Sequence, residues 1–547
     1  MPTLPSSRTR RLVLKSSTGL AALGAVPSLL LSRAVYAQGS TPAPAIVSTD
    51  ASRPSLAFGL QFGDPRIDAA AGAAPSASVL AWTRADRLSR LKVEWSLDEG
   101  FSNATTLPLL TLVPGTDHTG RIDLRGLPPG RQVFVRMTPL GIDSPRVQGE
   151  AVRGSFRTPT NDAGNLRFVW SGDTGGQGWG ISPSHGGMKT YRTMLEQSPA
   201  FFIHSGDTIY ADGPIAAEQK LPGDDLWRNL VTEEKSKVAE TLDEFRGNYR
   251  YNLMDEHVRA FNAQVPQIWQ WDDHEVTNNW SASKDLSTND KYREKRIGVL
   301  AARAAQAFLE YAPIRLHGDE ERDRVYRRIP QGPLLDLLMV DMRSYRGANS
   351  ANLQASYDAD SHFMGPAQIA WLKTELKRSA ATWKVIGADM PIGLQVGDGK
   401  EADGKARWEA IANGEAGAPL GREQEIADLL AFIKREKIRN VVWLTADVHY
   451  CAAHHYSPER AAFKDFEPFW EFVSGPLHAG GFGPAKPDAT FGLEVVFEKA
   501  PKMQNEAPTD ANQFFGQVDI DAASKAMTVA LKDRSGATVF EKRLDAA

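Results

Sequence analysis

Cysteine is nearly absent. Cys451 is the single one among 547 residues, so no intramolecular disulfide can form, and stability must come from packing or from metal. Long apolar runs are missing too: the most apolar stretch near the N-terminus, residues 19–31, is too short and too rich in glycine and alanine to span a membrane. Nor is there an excess of one charge. With 63 Lys+Arg against 67 Asp+Glu, a net charge of −4 and no basic run, nothing in the charge favours nucleic acid as a stable partner. A hydrophobic content of 42% marks a soluble globular chain, and the length exceeds one ordinary core, so a large domain plus a smaller one is expected.

The first 37 residues hold Arg8, Arg10, Arg11, Lys15 and Arg33 and no acid, and run into "VYA" at Val35–Ala37. A basic start, a weakly apolar middle and small residues at the end describe a secretory signal. The pair Arg10-Arg11 in "TRRLVLK" resembles the twin-arginine export signal, although Val13 stands where phenylalanine is common. The mature chain is therefore expected outside the cytoplasm, periplasmic or extracellular, with the twin-arginine machinery as a transient partner and no integral membrane segment.

A Pro/Ala/Ser-rich linker over residues 38–54 precedes residues 55–160, where alternating runs such as "SVLAWTR", "LKVEWSL" and "RQVFVRM" are separated by turn signals. This is the pattern of an all-β sandwich. From residue 161 to 547, apolar strands alternate with helical stretches such as "QIAWLKTELKRSA" and "EQEIADLLAFIKREK", which predicts a layered α/β domain. Residues 216–256 read as a helical excursion, residues 398–419 as a long surface loop, and residues 516–544 as a β-like tail.

Six apolar runs end in an acid: "LRFVWSGD" at Asp173, "AFFIHSGD" at Asp207, "VPQIWQWDD" at Asp273, "LLDLLMVD" at Asp341, "WKVIGAD" at Asp389 and "NVVWLTAD" at Asp447. A single strand-end aspartate is most simply a turn or helix cap. Several together would meet on the ligand-binding rim of an α/β sheet, where they would repel one another and take up protons unless a cation neutralised them. Multivalent metal is the simplest explanation. Asp341 stands apart because Arg343 and Arg346 lie within pairing reach; those arginines either pair with it or face an anionic substrate, and Arg343 is the candidate for the second role.

The blocks "SGDTGGQ", "GDTIY", "WDDHEVTNN" and "TADVH" resemble those of the calcineurin-like metallophosphoesterases, and more closely the PhoD-like alkaline phosphatases. The text around residues 63–84 and 126–137 resembles that family's fibronectin type III-like N-terminal domain. The resemblance implies a four-layer αββα metallophosphoesterase domain behind the sandwich. It implies that Asp207 bridges two metals, and that Asp173, Tyr210 and His449 complete a first site. Because this chain has an aspartate where the PhoD pattern has a Ser-Cys-Gln block, that site is closer to the iron site of purple acid phosphatases and suits Fe(III). At the second site Asp273, Asp389 and Asp447 stand where related phosphoesterases use an asparagine and two histidines. With Asp207 they form an all-oxygen set suited to Ca²⁺, or to Mg²⁺ or Mn²⁺. Asp272, Asn278 and Asn279 either add ligands or shape the turn.

His274 follows Asp273 as the catalytic histidine does in related sites. It would protonate the leaving oxygen while a hydroxide on the metals attacks phosphorus in line. His204 is expected to be packed behind the site, His185 to lie in a loop, His454 and His455 to be exposed, and Asp212 to be an ordinary loop residue. The function so implied is an exported phosphomonoesterase. Two alternatives use the same residues: a phosphodiesterase of phospholipase D-like type, and a calcium-binding scaffold without catalysis, which leaves Tyr210, His274 and His449 unexplained.

Overall fold

A computed structural model describes residues 52–68, 74–162, 164–223, 225–318, 321–508 and 512–547. The signal segment 1–37 and the linker up to residue 51 lie outside the described residues.

Two large sheets face each other. The first has nine strands in the order Thr538–Leu544, Met527–Asp533, Phe514–Ile520, Leu166–Ser171, Phe202–Ser205, Gln267–Gln270, Leu60–Asp68, Ser76–Arg84 and Thr119–Leu127. The second has seven: Arg327–Pro330, Leu335–Met339, Trp383–Gly387, Val441–Thr445, Phe469–Val473, Cys451–Tyr456 and Leu493–Lys499. The centre of each sheet is parallel.

Successive residues of a strand point to opposite faces, and both faces here are apolar. Phe168, Trp170, Ile203, Leu337, Met339, Val385 and Leu444 fill the space between the sheets. Their neighbours Val169 and Phe202 point the other way, into a core shared with the helices Lys189–Glu196, Leu242–Asn252, Glu256–Asn262 and Ile297–Tyr311. Leu338, Ile386 and Trp443 likewise meet the helices Pro366–Arg378 and Glu423–Arg435. The result is the αββα layering. The helices carry their own start signals: Thr241 and Glu244 form a capping box, Asp255 caps the next helix, and Pro366 opens another that ends in Lys377 and Arg378.

The N-terminal strands form a sandwich whose two sheets enclose Phe62, Val79, Ala81, Leu91, Val93, Val133 and Val135. One of its sheets is continuous with the large nine-stranded sheet, because Leu60–Asp68 pairs in parallel with Gln267–Gln270 at Gly63↔Gln267. A Cβ on Gly63 would fall 1.9 Å from the carbonyl oxygen of Pro313, so only glycine fits at this junction. Ion pairs close the seam: Asp64 with Arg327 at 2.7 Å, Asp123 with Arg315 at 2.7 Å, and Asp117 with Arg84 and Arg250 at 2.7 and 2.8 Å.

Residues 216–256 hold a short hairpin as well as helix. The expected surface loop at 398–419 is exposed only in part. It forms the hairpin Gly397–Lys400 with Ala406–Trp408, then buries Glu409, Ala410, Ile411 and Ala412, because Glu409 meets Arg343 and the apolar trio joins the second sheet's helix-side core. His454 is also buried, not exposed: its Nδ1 lies 2.9 Å from Glu471 inside the sheet.

Candidate metal centre

Strands of both sheets end at one rim. Asp173, Asp207 and Asp272-Asp273 follow strands of the first sheet; Asp341, Asp389 and Asp447 follow strands of the second. The two sheets are tied near this rim, where the Trp170 indole donates to the carbonyl of Thr445 at 3.2 Å. Four of the expected ligands, Asp173, Asp207, Asp447 and His449, have left-handed backbones with φ of 67°, 52°, 65° and 60°. Residues other than glycine adopt that region at a cost, and such strain collects at functional sites. Gly206, at φ 100°, lets the chain turn off its strand, and a Cβ there would lie 2.5 Å from that of Asp272.

Among the described residues the side chains gather into three overlapping groups, each with ligand atoms within 4.8 Å of one another: Asp173, Asp207 and His449; Asp207, Asp273 and His274; Asp272, Asp273 and Asp447. Asp207 belongs to the first two and Asp273 to the last two. The Tyr210 hydroxyl is 2.9 Å from His449 Nε2, and Asp173 is 3.6 Å from the same nitrogen. His449 Nδ1 donates to the carbonyl of Gly480, which fixes the tautomer and turns the Nε2 lone pair toward Asp173 and Tyr210. Burial pushes this imidazole down to about 4, so it is neutral, as a ligand must be.

Burial works against the Asp273 carboxylate, but His274 and Arg343 outweigh it and hold it below its ordinary range; three other acids shift the opposite way. Burial first, and neighbouring carboxylates after it, push Asp173 and Asp207 well above the ordinary range, and Asp447 up to about 8. Tyr210 is pushed up by burial and by Asp207 and Asp173. Both oxygens of Asp173, and one each of Asp272, Asp273 and Asp389, are buried without a hydrogen-bond partner. Unpaired buried carboxylate oxygen is costly, and a cation is the partner that such an oxygen-rich donor set fits.

His274 sits on the rim, packed against Tyr210 with ring centres 4.3 Å apart and the rings tilted by 35°. Its backbone N–H donates to Asp207 at 3.2 Å, and its Nδ1 donates to Asp212 at 2.7 Å. Asp212 is therefore no ordinary loop residue: its other oxygen accepts the N–H of Asn278 at 2.7 Å, and the pair fixes the ring. Burial works against charge on His274, but Asp212, Asp273 and Asp207 outweigh it and hold the imidazole well above its usual range. Glu275 was also missed. It accepts from the backbone and hydroxyl of Thr208, at 2.6 Å each, and from the backbone of Asp272 at 2.8 Å, pinning the two ligand turns together. Its place in "WDDHE" was the available signal.

Other expectations change. Asp389 belongs to none of the three groups among the described residues, and Asp272 stands in the third group instead. Asp341 does not pair with its arginines; it accepts from the backbones of Arg343 and Ser344 and the hydroxyl of Ser344, a turn cap. Arg343, expected to face substrate, has no exposed surface and lies among Asp272, Asp273, Asp389, Glu409 and Asp447. Asn278 and Asn279 shape the turn: the Asn279 N–H donates to Asp273, and its amide donates to Asp398 at 2.8 Å. His204 is packed behind the site, 3.0 Å from the hydroxyl of Thr174, and His185 stacks on Trp227.

Two facing sheets flanked by helices, with an acid- and histidine-lined rim at the strand ends, define a metallophosphoesterase, a class of phosphoric ester hydrolases. The chain belongs to the PhoD-like phosphatase family: that family's model matches residues 168–531, and the model for its N-terminal domain matches residues 41–160. Alkaline phosphatase D of Bacillus subtilis (strain 168) is 26% identical over 484 residues, covering 82% of this chain and 73% of that one. The solved structure of PhoD superposes with a TM-score of 0.65 at 19% identity, covering 91% of this chain and 94% of that chain. The purple acid phosphatase PPD1 from yellow lupin (Lupinus luteus) seeds gives a TM-score of 0.50 at 13% identity, covering 89% and 74%.

Proposed function

We propose that this chain is an exported phosphomonoesterase of the alkaline phosphatase D type. The observation that carries the reading is the shared carboxylate of Asp207, which joins an Asp173–His449 group to an Asp273–His274 group on one rim. A carboxylate with two oxygens suits a bridge between paired ions. Asp173, Asp207, Tyr210 and His449 would hold the first ion, and this hard donor set favours Fe(III). Asp207, Asp273 and Asp447, with Asp272 or Asp389, would hold the second; an all-oxygen set favours Ca²⁺ over Zn²⁺.

Such ions, when bound, supply a water of lowered pKa and neutralise charge on the phosphoryl group. The protein's own part is proton transfer and positioning. His274, with Nδ1 engaged by Asp212, offers Nε2 to the leaving oxygen, and the surrounding carboxylates keep it protonated for that step. Glu275 keeps the Asp207 and Asp272 turns in register.

Turnover of an aryl phosphate monoester is expected to exceed that of the matching diester. The reverse order would assign a phosphodiesterase of phospholipase D-like type, and loss of both activities in fully metallated protein would overturn both readings. The twin arginines and the basic start support export. Replacing Arg10 and Arg11 together by lysine should retain the chain in the cytoplasm; undiminished export would point to the general secretory route instead.

A further inference from the structure

The helical excursion over residues 216–256 reaches back into the rim. Its helix Leu242–Asn252 carries two buried asparagines, Asn248 and Asn252, four residues apart and so on one face. Asn252 Nδ2 donates to the carbonyl of Thr208 at 2.8 Å and to that of Thr174 at 3.4 Å. Asn248 works through a third residue. Lys235, in the turn Glu234–Ser236, is only 2% exposed, and its Nζ donates to Asn248 Oδ1 at 2.9 Å and to the carbonyl of Tyr210 at 2.7 Å.

The three carbonyls have one thing in common. Thr174 follows Asp173, Thr208 follows Asp207, and Tyr210 is itself an expected ligand, so each turn that brings one of these side chains to the first group is held from behind by the same excursion. Backbone bonds run beside them: the Ile215 N–H donates to the carbonyl of Lys235, and the Ala239 N–H to that of Ala211, at 2.8 Å each. The Ala211 N–H donates in turn to the carbonyl of His274 at 2.9 Å, so residues 210–215 are clamped between the excursion and the His274 loop.

Packing alone does not call for a lysine here, since an apolar side chain of the same length would fill the space without desolvating an amine. Burial pushes this amine down to about 7. An amine that has lost its proton still has two N–H groups, so both hydrogen bonds persist in either state.

We propose that Lys235 is a positioning residue of the metal centre, which together with Asn252 fixes the main chain behind Asp173, Asp207 and Tyr210 and so sets how those three side chains meet the first ion. The inference rests on the iron reading of that site and names what preorganises it. The excursion is on this account part of the site's framework.

Retention of metal tests it apart from activity. Iron-loaded wild-type protein, Lys235→Met and Tyr251→Phe are dialysed against a graded series of EDTA, bound iron is counted by elemental analysis, and a visible spectrum is recorded, with circular dichroism to confirm the fold. Lys235→Met keeps the length of the side chain and removes the donor. It should release iron at about 10–100-fold lower EDTA than the wild type, and its tyrosinate-to-iron band should be displaced in wavelength where iron is still bound. Tyr251→Phe controls for a merely structural effect. The Tyr251 hydroxyl, on the same helix, accepts from the Ile181 N–H and donates to the carbonyl of Leu230, at 2.8 Å each, and reaches none of the three turns, so its EDTA curve and band should match the wild type. If Lys235→Met fails to fold, Asn252→Ala carries the test with the same early release expected. A folded variant that releases iron at the wild-type concentration with an unmoved band, or equally early release from Tyr251→Phe, would overturn the proposal. Wild-type protein without iron and without the band would instead overturn the iron reading on which it rests, a distinct outcome.

Discussion

The molecule buries charge in two places, and they solve the problem differently. At the seam between the N-terminal sandwich and the catalytic layers, each acid has its base. Asp117 accepts from Arg84, Arg250 and the Tyr311 hydroxyl, Asp64 from Arg327 and the backbone of Arg315, and Asp123 from the Arg315 guanidinium. Burial works against the Asp117 carboxylate, but Arg84 and Arg250 outweigh it and hold it well below the ordinary range. At the rim the acids outnumber the bases. Burial and mutual repulsion push Asp173, Asp207 and Asp447 upward instead, and several oxygens find no donor. Charge that is balanced within the chain holds domains together; charge left unbalanced recruits ions from outside.

Substitutions at the two places should therefore fail in different ways. The largest effect on stability is expected at the seam. Asp117→Ala leaves Arg84 and Arg250 facing each other without their shared acid and should cost about 3–5 kcal/mol in chemical denaturation, while bound metal per folded chain stays at the wild-type level. Metal lost in proportion to the drop in stability would show that the two regions are not separate. The pH dependence has a definite sign. A depressed folded-state pKa means that the Asp117 contribution is present above the unfolded value of 3.8 and is lost as pH falls below it.

A smaller effect, on activity and not on stability, is expected from Asp212→Asn. The carboxylate that orients His274 and raises its pKa would be gone, so kcat should fall by about 10–100-fold with metal content held. The alkaline limb of the pH–rate profile should move to lower pH, because a general acid that loses its proton earlier stops working earlier. An unmoved limb would remove the Asp212–His274 pair from the rate-determining step.

The smallest effect lies outside both regions. Burial, with Asp488, pushes Glu423 up to about 8. A raised folded-state pKa means that its contribution is present below the unfolded value of 4.5 and is lost as pH rises toward 8. Glu423→Gln should match the wild type in Tm at pH 4 and exceed it by a few degrees at pH 9; equal values at both would show that the carboxyl is not buried in its neutral form.

The contrast between the regions also explains what the sequence made legible. Strand-end aspartates are local signals, since an apolar run stops and an acid follows, so Asp173, Asp207, Asp273 and Asp447 could be read one by one. Asp212 and Glu409 could not, because each acquires its partner, His274 or Arg343, across more than sixty residues. Glu409 lies in a stretch whose Gly, Ala and charged residues look solvated, and Arg343 looked free to meet substrate because its counter-charges are scattered over four segments. Continuity between the sandwich and the large sheet escaped for a similar reason. The strand Leu60–Asp68 alternates like any edge strand, and its parallel partner Gln267–Gln270 is two hundred residues away.

The central claim is that the surplus acid of the rim is neutralised by two ions joined through Asp207. Elemental analysis of purified wild-type protein beside Asp207→Ala tests it most directly, with a visible spectrum recorded on the same samples. The account predicts iron and a divalent ion in the wild type, a tyrosinate-to-iron charge-transfer band from Tyr210, and loss of both metals and the band in the folded variant. Asp207→Ala protein that keeps both metals at wild-type levels would contradict it.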